Sequence, residues 1–195
     1  MRPTIAISLA ALAAACAHPG APAAAPAAAG APADFFPLAV GNEWTYVDET
    51  PALPADRRGV SRTVRIVSRD SDGYYHDSER GELRADPDCL HDRVRRLLCA
   101  PIEPGKGWSS VVSVSSTERY EIAAVGEKVT TPAGTFAGCV RVRAHNRAGP
   151  TTDYVNEITY APRVGPVRIE TFSVVKGAVT PQVRAVLRAY RVEAR

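Results

Sequence analysis

Four histidines, two runs of aspartates and four cysteines are the side chains of this 195-residue sequence with the widest chemical reach. The histidines are His18, His76, His91 and His145. No two stand four apart, HExxH is absent, and none lies beside a cysteine at zinc-finger spacing, so no metal site is expected. Asp70, Asp72 and Asp77 form one acidic run, and Asp86, Asp88 and Asp92 the other. Asp70-Ser71-Asp72-Gly73 opens like a calcium loop but lacks the later ligands and the closing glutamate, and it reads as a solvated hairpin turn. No GxSxG elbow occurs, and no serine, histidine and acid are spaced to suggest a triad. The expectation is a non-enzymatic protein with no catalytic residue, cofactor or metal.

The cysteines divide by context. Cys89 and Cys99 flank a hairpin expected to turn near His91 to Arg93, and export would permit a disulfide across it. Cys99 with Cys139 is the rival pairing. Cys139 opens a strand with an apolar inward face, which suits a small buried hydrophobe.

Cys16 closes a different kind of segment. Met1 to Ala15 has a basic start at Arg2, an apolar run from Ile5 and small residues at its end, which is the layout of a secretory signal peptide. The run is shorter than the roughly 20 apolar residues a permanent span needs. Leu12-Ala13-Ala14-Ala15-Cys16 resembles the bacterial lipobox, with Ala13 where a branched residue is usual. That resemblance implies lipid attachment at Cys16 and anchoring by several acyl chains, palmitate among them, each contributing about 0.8 kcal/mol per buried methylene. Ala17 resembles the residue found in lipoproteins sorted to the outer membrane. Cleavage at Ala13-x-Ala15 would instead leave a soluble periplasmic protein.

Residues 16–34, almost all Ala, Pro and Gly after Cys16, carry no large aliphatic side chain and are expected to be a disordered tether. Extended at about 3.1 Å per residue, the stretch after Cys16 would reach on the order of 50 Å.

From 35 to 195 the apolar residues recur mainly with period two, and turn residues punctuate them every 8 to 14 positions. The expected domain is all-β, a single curved antiparallel sheet or half-open barrel. The expected strands are Trp44 to Glu49, Ser61 to Arg69, Gly73 to Ser78, Glu82 to Ala85, Arg93 to Cys99, Trp108 to Ser115 and Arg119 to Val125. They continue with Glu127 to Thr131, Cys139 to Asn146, Thr152 to Tyr160, Val167 to Val175 and Val183 to Val192. Val140, Val142 and Ala144 should face the core, with Arg141, Arg143 and His145 opposite. The last segment also fits one face of a helix, and strand is preferred. Pro37-Leu38-Ala39-Val40-Gly41-Asn42-Glu43-Trp44 and Pro101-Ile102-Glu103-Pro104-Gly105-Lys106-Gly107-Trp108 share one pattern, read either as a duplicated β unit or as one turn solution used twice.

Three stretches resemble a family of secreted or lipid-anchored bacterial envelope proteins common in deltaproteobacteria and their relatives. They are FPLAVGNEWTY (Phe36 to Tyr46), VTTPAGTFAGCVRV (Val129 to Val142) and YAPRVGPVRIE (Tyr160 to Glu170). The resemblance implies export and an all-β domain and brings no catalytic residues. Arg163 stands where that family often has glycine.

The charge is small. Lys and Arg total 24 against 21 acids, for a net +3, and only Lys106, Lys128 and Lys176 are lysines. Nucleic acid is not an expected partner. The arginine faces Arg141, Arg143, Arg147 and Arg93, Arg95, Arg96 suit either anionic headgroups or lipopolysaccharide phosphates, or a solvated face paired with Glu121, Glu157 and Glu170. Binding of an envelope component or protein partner through the β surface is the leading expectation. Carriage of a lipid or other apolar ligand on a concave face is the alternative, by analogy of architecture with periplasmic lipoprotein carriers.

Overall fold

A computed structural model describes residues 30–54 and 58–193. The expected signal peptide, Cys16 and most of the expected tether lie outside the described residues. The chain folds as one 12-stranded antiparallel meander, β1 (Glu43–Asp48), β2 (Ser61–Arg69), β3 (Tyr75–Asp77), β4 (Glu82–Ala85), β5 (Cys89–His91), β6 (Arg96–Cys99), β7 (Gly107–Ser113), β8 (Ser116–Thr131), β9 (Gly134–Gly149), β10 (Thr152–Ala161), β11 (Gly165–Val175) and β12 (Ala178–Arg191). The spatial order is β6-β5-β4-β3-β2-β1-β12-β11-β10-β9-β8-β7. First and last strands pair, so the sheet curls into a nearly closed barrel whose one unsealed seam lies between β6 and β7. The final segment is strand, paired on both sides.

Period-two burial builds the wall. Val140, Val142 and Ala144 are buried, while Arg141, Arg143 and His145 face out. The core gathers Phe35, Leu38, Trp44, Tyr46, Ile66, Leu90, Leu98, Ile122, Tyr160 and Leu187. Burial of each large apolar side chain contributes about 2 kcal/mol.

The structure departs from the expected elements in three places. Arg119 to Val125 and Glu127 to Thr131 are one strand, β8, because irregularities at Ala123, Gly126 and Lys128 absorb the shifts in register while pairing to β9 continues. The expected strand from Arg93 is only β6, and β5, too short to show periodicity, precedes it across a turn at 92–95. Residues before the expected boundary at 35 also take part in the fold. A 3-10 turn at Pro32–Phe35 buries Pro32 and Phe35, and Arg163 N–H donates to the Asp34 carbonyl at 2.6 Å.

The two similar segments have one structure. Gly41 N–H donates to the Ile66 carbonyl, and Ile66 N–H returns to Asn42, both at 2.9 Å. Gly105 and Lys106 do the same with Ile122, again at 2.9 Å. Both glycines have positive φ (96° and 82°), which a side chain would strain. Trp44 then pairs with Val64 and Trp108 with Tyr120, one at the start of each six-strand half, β1–β6 and β7–β12.

Strand direction sorts the turns into two ends. Those at 70–74, 86–88, 100–106, 132–133 and 162–164 lie with Pro32–Phe35, the start of β1 and the end of β12 at a lower end. Those at 78–81, 92–95, 114–115, 150–151 and 176–177 lie at the upper end.

Candidate functional site

The residues of the three sequence stretches meet at or near the lower end, and their contacts are structural. Trp44 Nε1 donates to the Val164 carbonyl at 2.6 Å, and Tyr46 Oη to the Pro166 carbonyl at 3.0 Å. Phe36 meets Trp44 edge-on with centroids 5.0 Å apart. Phe136 contacts Tyr190, and Ala133 N–H donates to the Leu187 carbonyl. Asn42, almost fully buried, donates to the Pro37 carbonyl at 2.8 Å and accepts Glu193 N–H at 2.9 Å, tying the end of the last strand to the first turn. These stretches build the frame.

The cysteines are equally structural. Cys89 and Cys99 are joined as a disulfide across directly paired positions of β5 and β6. Cys139 is a buried free thiol whose pKa is pushed up to about 11 by burial and then by Glu127, so a reactive thiolate is disfavoured.

The histidines are dispersed. His76 Nε2 lies 3.1 Å from Asp70 and its Nδ1 3.4 Å from Glu82, while Arg93 clasps the same two acids at 2.7 and 2.5 Å. The Arg93 and Arg84 guanidiniums stack on Tyr74, 4.1 and 4.9 Å from its ring centre. Asp70 is held below the usual carboxyl range: burial pushes its pKa up, and the bonds from Tyr74 N–H, His76 and Arg93 more than reverse that. His91 sits 3.1 Å from Asp86. Asp72 lies 3.9 Å from Arg93, Asp92 3.5 Å from Arg95, and Asp77 receives Glu79 and Gly81 N–H. Asp88 N–H caps onto Asp86. The aspartates thus tie turns and arginines together.

At the seam, side chains take over from the backbone ladder. Trp108 Nε1 donates to the Arg96 carbonyl at 2.7 Å, Arg96 N–H to Ser110 Oγ at 3.0 Å, and the Arg96 guanidinium to the Ser109 carbonyl at 2.5 Å. Arg95 reaches the buried Glu118 at 3.0 Å, where Tyr120 also donates its hydroxyl. Burial and that carboxylate raise the Tyr120 pKa far above the phenol range.

The outer row of β9 changes character along its length. Arg141 bonds Glu127 and Glu157, both at 3.1 Å, and Arg143 bonds Glu157 at 2.6 Å and Glu121 at 3.2 Å. Arg184 pairs with Glu170 at 2.8 Å. For these arginines the paired-face reading holds. Further up, among the described residues, His145 and Arg147 meet no carboxylate within ion-pair distance, nor does Arg119, which faces His145 from β8. Arg147 instead donates to the Gly149 and Pro150 carbonyls at 3.3 and 3.1 Å. These three line an open cleft of about 600 Å³ with Thr117, Glu121 and Asp153. Arg119 escapes a reading of sequence alone, since its lack of a partner depends on cross-strand register.

No sequence-family model matches the chain, and no curated protein matches it. Two solved structures are similar. One is a Bacteroides fragilis protein provisionally described as exported, with a YmcC-like fold, at 17% identity and a TM-score of 0.50, spanning 81% of this chain and 99% of that one. The other, from Parabacteroides distasonis, is provisionally described as a lipoprotein, at 15% identity and a TM-score of 0.42, spanning 80% and 98%. The first likeness shows a shared fold.

Proposed function

We propose that this chain is an exported envelope protein, held at a membrane by lipid on Cys16, whose β barrel is a non-enzymatic module for binding an envelope component or protein partner. One observation carries the reading: the N-terminal 3-10 turn and the end of β12 gather at the lower end, leaving the upper end and outer wall free for display. The lipobox-like run before Cys16 and the description of the Bacteroides fragilis protein as exported support it. Outer-membrane placement facing the periplasm is the form of anchoring that Ala17 favours.

A carrier of an apolar ligand is the second reading. It draws on β8 to β12, of 16, 16, 10, 11 and 14 residues, outreaching β1 to β6 at 6, 9, 3, 4, 3 and 4. High on their inner face, Tyr154 and Val183 are 44% and 41% exposed. Native mass spectrometry of the protein extracted from its own membrane, with crosslinking in parallel, separates the two. A crosslinked partner without a retained lipid is expected, and a stoichiometric lipid inside the barrel overturns the first reading for the second.

A further inference from the structure

We infer that the upper outer cleft on β8, β9 and β10 is a binding site for an oxyanion of the phosphate class. It names the ligand chemistry of the binding module proposed above and so rests on that reading. Among the described residues, Arg119, His145 and Arg147 converge on one concavity with no carboxylate within ion-pair distance, whereas the two preceding arginines of the same β9 row share three glutamates. The Glu121 charge is already engaged by Arg143, 3.2 Å away. Among the described residues that leaves two guanidiniums and an imidazole against Asp153.

Like charges left side by side on a sheet are destabilising unless something neutralises them. Guanidinium forks match the oxygens of a phosphoryl group and form charge-assisted bonds with them. Arg147 is held in place by the Gly149 and Pro150 carbonyls, which leaves its third nitrogen to donate from a fixed position and lowers the ordering cost of binding. The Thr117 hydroxyl adds a neutral donor on the cleft wall. At about 600 Å³ the cleft exceeds a lone phosphate and has room for the group that bears it. Since it opens to solvent, salt will screen the interaction.

Phosphate has two sources here, a lipid headgroup or a soluble phosphorylated ligand, and the experiment distinguishes them. The full chain in detergent is titrated calorimetrically with inorganic phosphate against chloride at equal ionic strength. Phosphate-selective heat is expected, weakened about tenfold or more by Arg119→Gln and by Arg147→Gln. It should be unchanged by Arg188→Gln, which alters an exposed arginine bonded to Ser61. The Cys16→Ser chain is then sedimented with phosphatidylcholine vesicles with and without phosphatidylglycerol. Cosedimentation that needs phosphatidylglycerol and is lost in Arg119→Gln assigns the headgroup. Arginine-dependent phosphate binding without that preference assigns a soluble ligand. No phosphate-selective binding, or binding indifferent to both cleft arginines, overturns the inference and leaves Cys16 anchoring, read separately by cell fractionation, untouched.

Discussion

Gly165 stands where a β-carbon would fall 3.0 Å from Trp44 Nε1 and 3.1 Å from Phe36 Cδ2, on backbone with φ of 112°. Gly165→Ala therefore meets backbone strain and overpacking together and should cost about 3 kcal/mol, read as a lowered denaturant midpoint. Two positions earlier, Arg163 has φ of 60°, a left-handed conformation that glycine adopts at no steric cost. Glu157 is the most enclosed acid of the outer row. Burial pushes its pKa up, but the hydrogen bonds from Arg143 and Arg141 prevail, so its folded pKa lies below the ordinary 4.5. A carboxyl depressed in this way contributes stability above its unfolded pKa and loses it as pH falls through the folded one. Glu157→Gln should cost about 1–2 kcal/mol at pH 7, discounted for the partly exposed arginines. The gap from wild type should shrink below about pH 4.5 in denaturation series, and a gap constant down to pH 2 would contradict the pairing.

At the scale of elements, the two tryptophans do different work. Trp44 is buried in a wall sealed by ladders on both sides, while Trp108 stacks on Tyr120 and bridges the seam through its indole N–H. Trp108→Phe keeps a ring but removes the bond to Arg96, at about 1 kcal/mol. Amide exchange should then quicken in β6 and β7 and remain slow in β1 and β12; uniform quickening would mean the seam is no weaker than the rest. The strands were legible where apolar residues alternate over several positions, as at Val140, Val142 and Ala144. β5 was not, because three residues cannot display a period. Gly126 looked like a boundary, yet in β8 it is a bulge with φ of 81° that lets the strand run on. Arg119 in the upper cleft was illegible for a related reason: whether a guanidinium is paired is decided by its cross-strand neighbour.

For the whole molecule, the barrel is polar, with its fastenings gathered toward one end. The repeated lead-in turns, the Trp44 bond to the β10–β11 turn, the Tyr46 bond to the start of β11, and the Asn42 clasp on Glu193 all lie at or near the lower end. A module suspended from that end would present the Arg119 cleft away from its anchor. The stretches that carried the family resemblance are thus accounted for by folding, and the surface proposed for binding lies elsewhere. The most direct test of the central claim is fractionation of cells producing the native chain and Cys16→Ser, with intact mass measured on each product. The native chain should sediment with membranes, begin at Cys16 and carry the mass of its acyl chains, while Cys16→Ser should appear in the soluble fraction. A native product that is unmodified and soluble, or a Cys16→Ser product that remains on the membrane, would contradict that claim.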